Sequence, residues 1–287
     1  MRLTGRRESS NVDDRRRSGG GKKASVGIGG LVVAALVVWL MGGNPLSVLT
    51  QADLGSVLTE QGGGTYEPTA EEEALAKFSK QILAGTEDVW TKEFQKMGRT
   101  YQPPRLVLFT NSVQSGCGGA TSSTGPFYCS ADQSVYIDLS FFSQMKQQLG
   151  ADGDFAYAYV IAHEVGHHVQ YLLGILDNAH QQMSRMSEKE SNRMSVRLEL
   201  QADFLAGIWA YHDNQMFHSL EDGDIEEGLN VASKIGDDYL QKQAQGYTVP
   251  DAFNHGKSAQ RVRWLKKGLT SGNVNDGDTF SQNYNEL

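Results

Sequence analysis

The ten residues from Ile161 to Gln170 read IAHEVGHHVQ, and within them His163, Glu164 and His167 form the pattern H-E-x-x-H. The surrounding stretch, DFAYAYVIAHEVGHHVQYLL, has the apolar content of a buried helix. Residues four apart on a helix lie one above the other, so both imidazoles can reach a single metal ion. Glu164 follows His163 directly, which puts its carboxylate beside the metal rather than among its ligands. Hydrolysis needs that arrangement. Two imidazoles and a third protein ligand leave one zinc position for water, zinc brings the pKa of such a water to about 7, and an adjacent carboxylate can take its proton. Val160, Ile161, Ala162 and Val169 flank the motif with apolar side chains, and Gly166 reads as leaving room beside the metal. His168 points about 100° away from His167 and reads as a supporting or packing histidine, not a ligand.

A third ligand is expected from another element. In RLELQADFLAG, residues 197–207, Glu199 and Asp203 are four apart and share one helical face. Glu199 is the expected ligand, and Asp203 is expected to accept the second N–H of a ligating histidine. Such a contact fixes the tautomer, and losing it typically costs about 10–100-fold in affinity or activity. The alternative is that both acids pair with Arg193 or Arg197 on the surface, although Leu198, Leu200, Phe204, Leu205 and Ile208 make the helix at least partly buried. A developing oxyanion needs a donor besides the metal. His255, which opens HGKSAQRVRW, is the candidate; it could equally cap the helix beginning near Lys257 or pack quietly. His212 and His218 read as surface or packing residues.

H-E-x-x-H on one helix with E-x-x-x-D on a later one resembles the gluzincin arrangement of zinc metallopeptidases. More closely, four segments are similar to the bacterial family of neutral zinc metallopeptidases with an N-terminal membrane anchor: VQSGCGGATSSTGPFYCSADQSVYIDLSFF (113–142), AYVIAHEVGHHVQ (158–170), RLELQADFLAGIWA (197–210) and HGKSAQRVRWLKKGL (255–269). The likeness covers nearly all of residues 66–287. It implies a zincin-like fold, one Zn2+ per chain held by His163, His167 and Glu199, Glu164 as general base, and hydrolysis of peptide bonds in a peptide or protein substrate. Two other readings remain at this point: a zinc-stabilised, non-catalytic membrane adaptor, and a metal-dependent amidase acting on a cell-wall polymer.

The elements that position these residues can be read along the chain. Thr69 before Glu71, Glu72 and Glu73 starts a helix over residues 69–97, which Gly85 and Thr86 are expected to break in two. RLVLFT (105–110) and SVYIDL (134–139) read as strands. Residues 134–139 are the candidate edge strand to pair with an extended substrate backbone. From Asp154 onward the pattern is helical, near 154–173, 179–215, 222–241 and 256–269, with a loose polar tail from 271. The fold class is therefore α+β and mainly α, with a small antiparallel sheet. Cys117 and Cys129 flank a Gly/Ser/Thr-rich loop, and a disulfide is expected over free thiols or metal ligation, because they are not C-x-x-C spaced. Closing a loop of that size stabilises by about 3 kcal/mol in the chain-entropy model.

Upstream, Val26 to Gly42 (VGIGGLVVAALVVWLMG) carries no charge, and residues 1–23 carry eight Lys/Arg against three acids. A hydrocarbon core about 30 Å thick takes roughly 17–25 helical residues, and flanking Lys/Arg stay cytoplasmic. The expectation is a basic cytoplasmic tail (1–25), a single-pass anchor (26–42), a flexible GGG-containing linker (43–65) and an extracytoplasmic catalytic domain (66–287). A cleaved secretion signal is the rival reading of the same segment. Beyond residue 23 the chain has 18 basic and 31 acidic residues, which excludes a nucleic-acid surface built on clustered Lys and Arg.

Overall fold

Thr69 caps the first long helix, α1 (Ala70–Lys96): its hydroxyl accepts from the Glu72 N–H, and the Glu72 carboxylate accepts from the Thr69 N–H. Glu71, Glu72 and Glu73 in the first turn complement the helix dipole. The structure, a computed structural model, describes residues 1–17 and 67–287. The helix runs unbroken through Gly85 and Thr86, contrary to the expected break. Thr86 turns its hydroxyl back onto the Leu83 carbonyl, and both residues are buried.

Both expected strands form, as β2 (Arg105–Phe109) and β6 (Ser134–Asp138), but they run parallel to each other. Three shorter strands lie between them: β3 (Ser112–Ser115) and β4 (Gly118–Thr121) make a separate hairpin, and β5 (Phe127–Cys129) pairs antiparallel with β6. A further strand, β1 (Val12–Asp14), pairs parallel with the other side of β2. The sheet order is β1-β2-β6-β5, so the sheet is mixed rather than antiparallel, and β6 is interior rather than an edge. Its five residues are all buried, as a strand flanked on both sides requires. The expected edge role therefore passes to β5. Its last residue, Cys129, is bonded to Cys117, as expected from the sequence.

The helical body follows: α2 (Ser140–Leu149), α3 (Asp154–Leu172), α4 (Ile175–Met183), α5 (Glu188–Phe217), α6 (Asp224–Lys234), α7 (Asp237–Gln245) and α8 (Ser258–Ser271). The single helix expected over 179–215 is thus divided, because Ser187 caps α5 reciprocally with Glu190. The one expected over 222–241 divides at Gly236, which caps α7. Helix α5 lies between α3 and α8. A Cβ on Gly268 would stand 2.1 Å from the Phe204 carbonyl oxygen, so only glycine lets α8 approach α5 this closely. One apolar core, including Trp90, Ile137, Tyr159, Phe204 and Trp209, joins sheet and helices. The class is mainly helical α+β, as expected.

Both chain ends are packed on the body. The segment after 271 is not loose: Gln201 donates to the Gly277 carbonyl (2.9 Å), Thr279 to the Arg197 carbonyl (2.8 Å), and Leu287 is buried. It covers the outer face of α5. At the other end, residues 1–17 are not set apart as a tail but packed on the body, with β1 in the sheet. Among the described residues no helix is long and apolar enough to cross a membrane. The candidate anchor 26–42 and linker 43–65 lie outside the described residues.

Candidate metal centre

Helix α3 carries His163, Glu164 and His167, and α5 carries Glu199 and Asp203, so the site depends on how closely these two helices approach. Gly166 sets that distance: a Cβ there would meet the Ala202 carbonyl oxygen at 3.0 Å and its Cα at 3.2 Å. The glycine thus leaves room for the α5 backbone, not for the metal as the sequence reading had it. With the helices this close, His163 Nε2 lies 3.2 Å from Glu199 Oε2, and His167 Nε2 lies 3.4 Å from Glu199 Oε1. One ligand atom from each of the three residues falls within 4.8 Å of the others. The imidazole planes stand at 89° to one another.

Each imidazole is held from behind through Nδ1. His163 Nδ1–H donates to Asp203 Oδ1 at 2.8 Å, the role expected for that carboxylate. His167 Nδ1–H donates to Gln170 Oε1 at 2.9 Å, and Gln170 donates in turn to the Leu198 carbonyl and to Gln201. Both Nε2 lone pairs therefore face one point with their tautomers fixed, which is how a zinc ligand set is oriented. Two imidazole nitrogens and one carboxylate suit zinc. The residues present fit that ion.

Asp203 is wholly buried and accepts three further bonds: 2.6 Å from the Tyr159 hydroxyl, and 2.9 Å from each of Arg261 Nε and Nη2 on α8. Burial would raise the Asp203 carboxyl; Arg261 and His163 outweigh it and hold it below its ordinary value. Burial likewise opposes a charged His163, yet without a metal the Asp203 and Glu199 carboxylates lift it to about 10. Glu199 is held well below the usual carboxylate range, the His167 and His163 imidazoles overcoming its burial. Glu164 differs. Its burial dominates and pushes its carboxyl up, although the His163 and His167 imidazoles pull it down.

A cleft of about 480 Å³ opens over these residues. The β5 strand, Phe141, Val160, Ile235 and Leu240 line it, with His163, Glu164, His167 and Glu199 at its base. His255, the candidate oxyanion donor, also lines it. Its Nδ1 lies 3.2 Å from Asp237 Oδ1 at the start of α7, and the Asp237 carboxylate also accepts the backbone N–H of His255 and Gly256. Burial lowers the His255 pKa, but Asp237 and Glu199 outweigh it and leave it raised. His168 points away, as expected: it donates from Nε2 to the Gln102 carbonyl and accepts a hydrogen bond from the Tyr128 hydroxyl at Nδ1. His212 bonds the Gly272 carbonyl, and His218 ends α5; neither reaches the site.

Sequence reasoning missed Gln170, Tyr159, Asp237 and Arg261. Gln170, three residues after His167 on the same helix, carried a usable signal. The others are brought in by tertiary packing and carried none.

No solved structure matches the chain. It is 50% identical to the uncharacterized protein YpfJ of Escherichia coli K12 over 289 residues, covering 98% of this chain and 99% of that one. It is 42% identical to the uncharacterized protein Rv2575 of Mycobacterium tuberculosis over 191 residues, covering 63% of this chain and 64% of that one. A family model described as "putative neutral zinc metallopeptidase" matches residues 1–280, a span that holds all three candidate ligands, their supports and the N-terminal segment packed on the body; the chain belongs to that family.

Proposed function

We propose that this protein is a zinc-dependent endopeptidase with one metal ion per chain, held by His163, His167 and Glu199. The observation that carries the reading is the convergence of both Nε2 atoms and the Glu199 carboxylate on one point, beside a buried carboxylate that is not a ligand. Bound there, zinc supplies Lewis acidity, polarising a peptide carbonyl and making water acidic. Glu164 takes the proton of the attacking water and passes it to the leaving amine; its raised pKa suits a group that must both accept and release a proton. His255, whose pKa Asp237 and Glu199 raise, donates from Nε2 to the oxyanion, since its Nδ1 is engaged by Asp237.

The substrate strand lies along β5, which pairs with β6 on one side only. An extended backbone there lies beside Tyr128, which lines the same cleft as Glu164. The open strand edge and apolar cleft wall favour a peptide over a cell-wall polymer, and a carboxylate poised as base favours an enzyme over an adaptor. Membrane attachment through residues 26–42 belongs to the same proposal, and immunoblotting of membrane and soluble fractions tests it: a wholly soluble product would sink it. For the chemistry, an unfolded protein substrate should be cleaved by the full chain, protected when a chelator strips the metal, and cleaved again on addition of one equivalent of zinc. Intact substrate in the presence of a fully zinc-loaded protein would refute the peptidase reading.

A further inference from the structure

The arginines of residues 1–17 are expected to hold a tail on the cytoplasmic face of a membrane, but the structure gives them other partners. Arg6 grips Asp213 on α5 through both carboxylate oxygens (2.7 and 3.2 Å) and lies over the Phe217 ring at 3.8 Å. Arg7 meets Glu87 (2.8 Å) and Asp88 (2.6 Å) on α1, Arg2 meets Glu221 (3.1 Å), and Arg16 and Arg17 both meet Glu73 (3.3 Å). Backbone bonds run alongside: Arg2 N–H to the Ser219 carbonyl, Ser9 N–H to that of Lys80, and Arg15 N–H to that of Leu108. The acidic excess of the body thus finds counter-charge in its own first residues.

Three features of the body make sense only with this arm in place. Glu87 and Asp213 are buried, at 8% and 1% exposure. Among the described residues, every hydrogen-bond and ion-pair partner of these two carboxylates belongs to the arm: Arg7, Ser9 and Asn11 for Glu87, Arg6 for Asp213. A buried carboxylate without partners is costly, and here the arm supplies those partners. Gly85, in mid-helix where alanine is otherwise preferred, lies so close that a Cβ would stand 2.8 Å from both Arg6 Nη2 and Asp213 Oδ1. Finally, β1 covers the outer edge of β2, which would otherwise expose unpaired backbone.

A chain that crossed a membrane once between residues 17 and 67 would leave arm and body on opposite sides, where none of these contacts could form. We infer that residues 1–17 are a structural part of the catalytic body and reside in its compartment. The arginines serve the fold rather than orientation.

Compartment can be read in intact cells making the full-length chain with one added exposed cysteine, Ser10→Cys in the arm or Glu188→Cys in the body, and the native disulfide kept. A membrane-impermeant maleimide is applied before and after lysis, with the parent chain as baseline. The two positions are expected to behave alike, both labelled in intact cells or both only after lysis. Labelling of one in intact cells and of the other only after lysis would overturn the inference. Docking is read separately by hydrogen exchange on the purified full chain. The Ser9 and Arg15 amides are expected to exchange at least tenfold slower than in an isolated peptide of residues 1–17, and to lose that protection in Asp213→Ala/Glu87→Ala. Exchange at the peptide rate in the unsubstituted chain would overturn it.

Discussion

Asp203 stands between two demands that a double-mutant cycle can separate: it fixes the His163 tautomer, and it neutralises Arg261. Asp203→Asn keeps the shape but removes the charge. His163 Nδ1–H then faces a weaker acceptor or a donor in place of a carboxylate oxygen at 2.8 Å. Loss of such a support costs about 10–100-fold in metal affinity, or about 1.4–2.7 kcal/mol. Arg261, 3% exposed and bidentate on Asp203, loses its counter-ion. An uncompensated buried charge of this kind costs about 3–5 kcal/mol, which for a chain of this size lowers the melting temperature by roughly 6–20 °C. Arg261→Met placed on top removes the orphaned charge and recovers most of the stability, but it returns nothing to His163. The zinc dissociation constant, from competition with a chromophoric chelator, and the melting temperature of the metal-free protein are measured for wild type, both single variants and the double. The stability loss should be largely cancelled in the double variant while the affinity loss persists. Wild-type zinc affinity in the double variant would refute the assignment, leaving Asp203 as no more than the partner of Arg261.

Three further outcomes follow from the same geometry. Cys129 ends β5, the strand whose Phe127 and Tyr128 line the cleft beside Glu164, so Cys117→Ser/Cys129→Ser should lose about 3 kcal/mol of stability in denaturant unfolding and a measurable share of turnover; unchanged values for both would contradict a structural role for the bond. His255→Ala should lower kcat by about 10²–10³-fold with little change in KM, and normal turnover would retire His255 as the oxyanion donor. His168 is neutral in the fold, burial pushing its pKa from 6.5 down to about 4. The unfolded chain therefore binds the proton first as pH falls, so this contribution is intact above pH 6.5 and is lost progressively towards pH 4, reaching about 3 kcal/mol. The stability of His168→Gln should fall less steeply over that window, and parallel curves would refute the assignment.

The candidate ligand set was legible because it is local: H-E-x-x-H and E-x-x-x-D each declare a helical face, and pairing the two faces takes one assumption about which helices meet. What reached the site from elsewhere was not legible. Arg261 is 58 residues from Asp203, and nothing in HGKSAQRVRW distinguishes a buried arginine from a solvated one. The sheet was misread for a related reason. Two five-residue strands fix neither direction nor order, and the parallel pairing of β2 with β6 becomes possible only because a hairpin and β5 fill the connection between them. Glycine misled twice by the same mechanism. Gly85 looked like a helix break and Gly166 like space for a metal, but each is a place where another piece of chain presses against a helix, a tertiary fact that sequence spacing does not carry. The docking of the first residues was hidden most completely, since nothing in the sequence pairs Arg6, Arg7 and Arg16 with Asp213, Glu87 and Glu73.

Glu164→Gln tests the central claim most directly, because it removes the base while leaving the three ligands and their supports untouched. Zinc content by elemental analysis and cleavage of an unfolded protein substrate are measured on the full chain and on this variant. One zinc per chain in both, with cleavage by the wild type alone, is the predicted result. Cleavage by Glu164→Gln at the wild-type rate, or wild-type protein that binds no zinc, would contradict it.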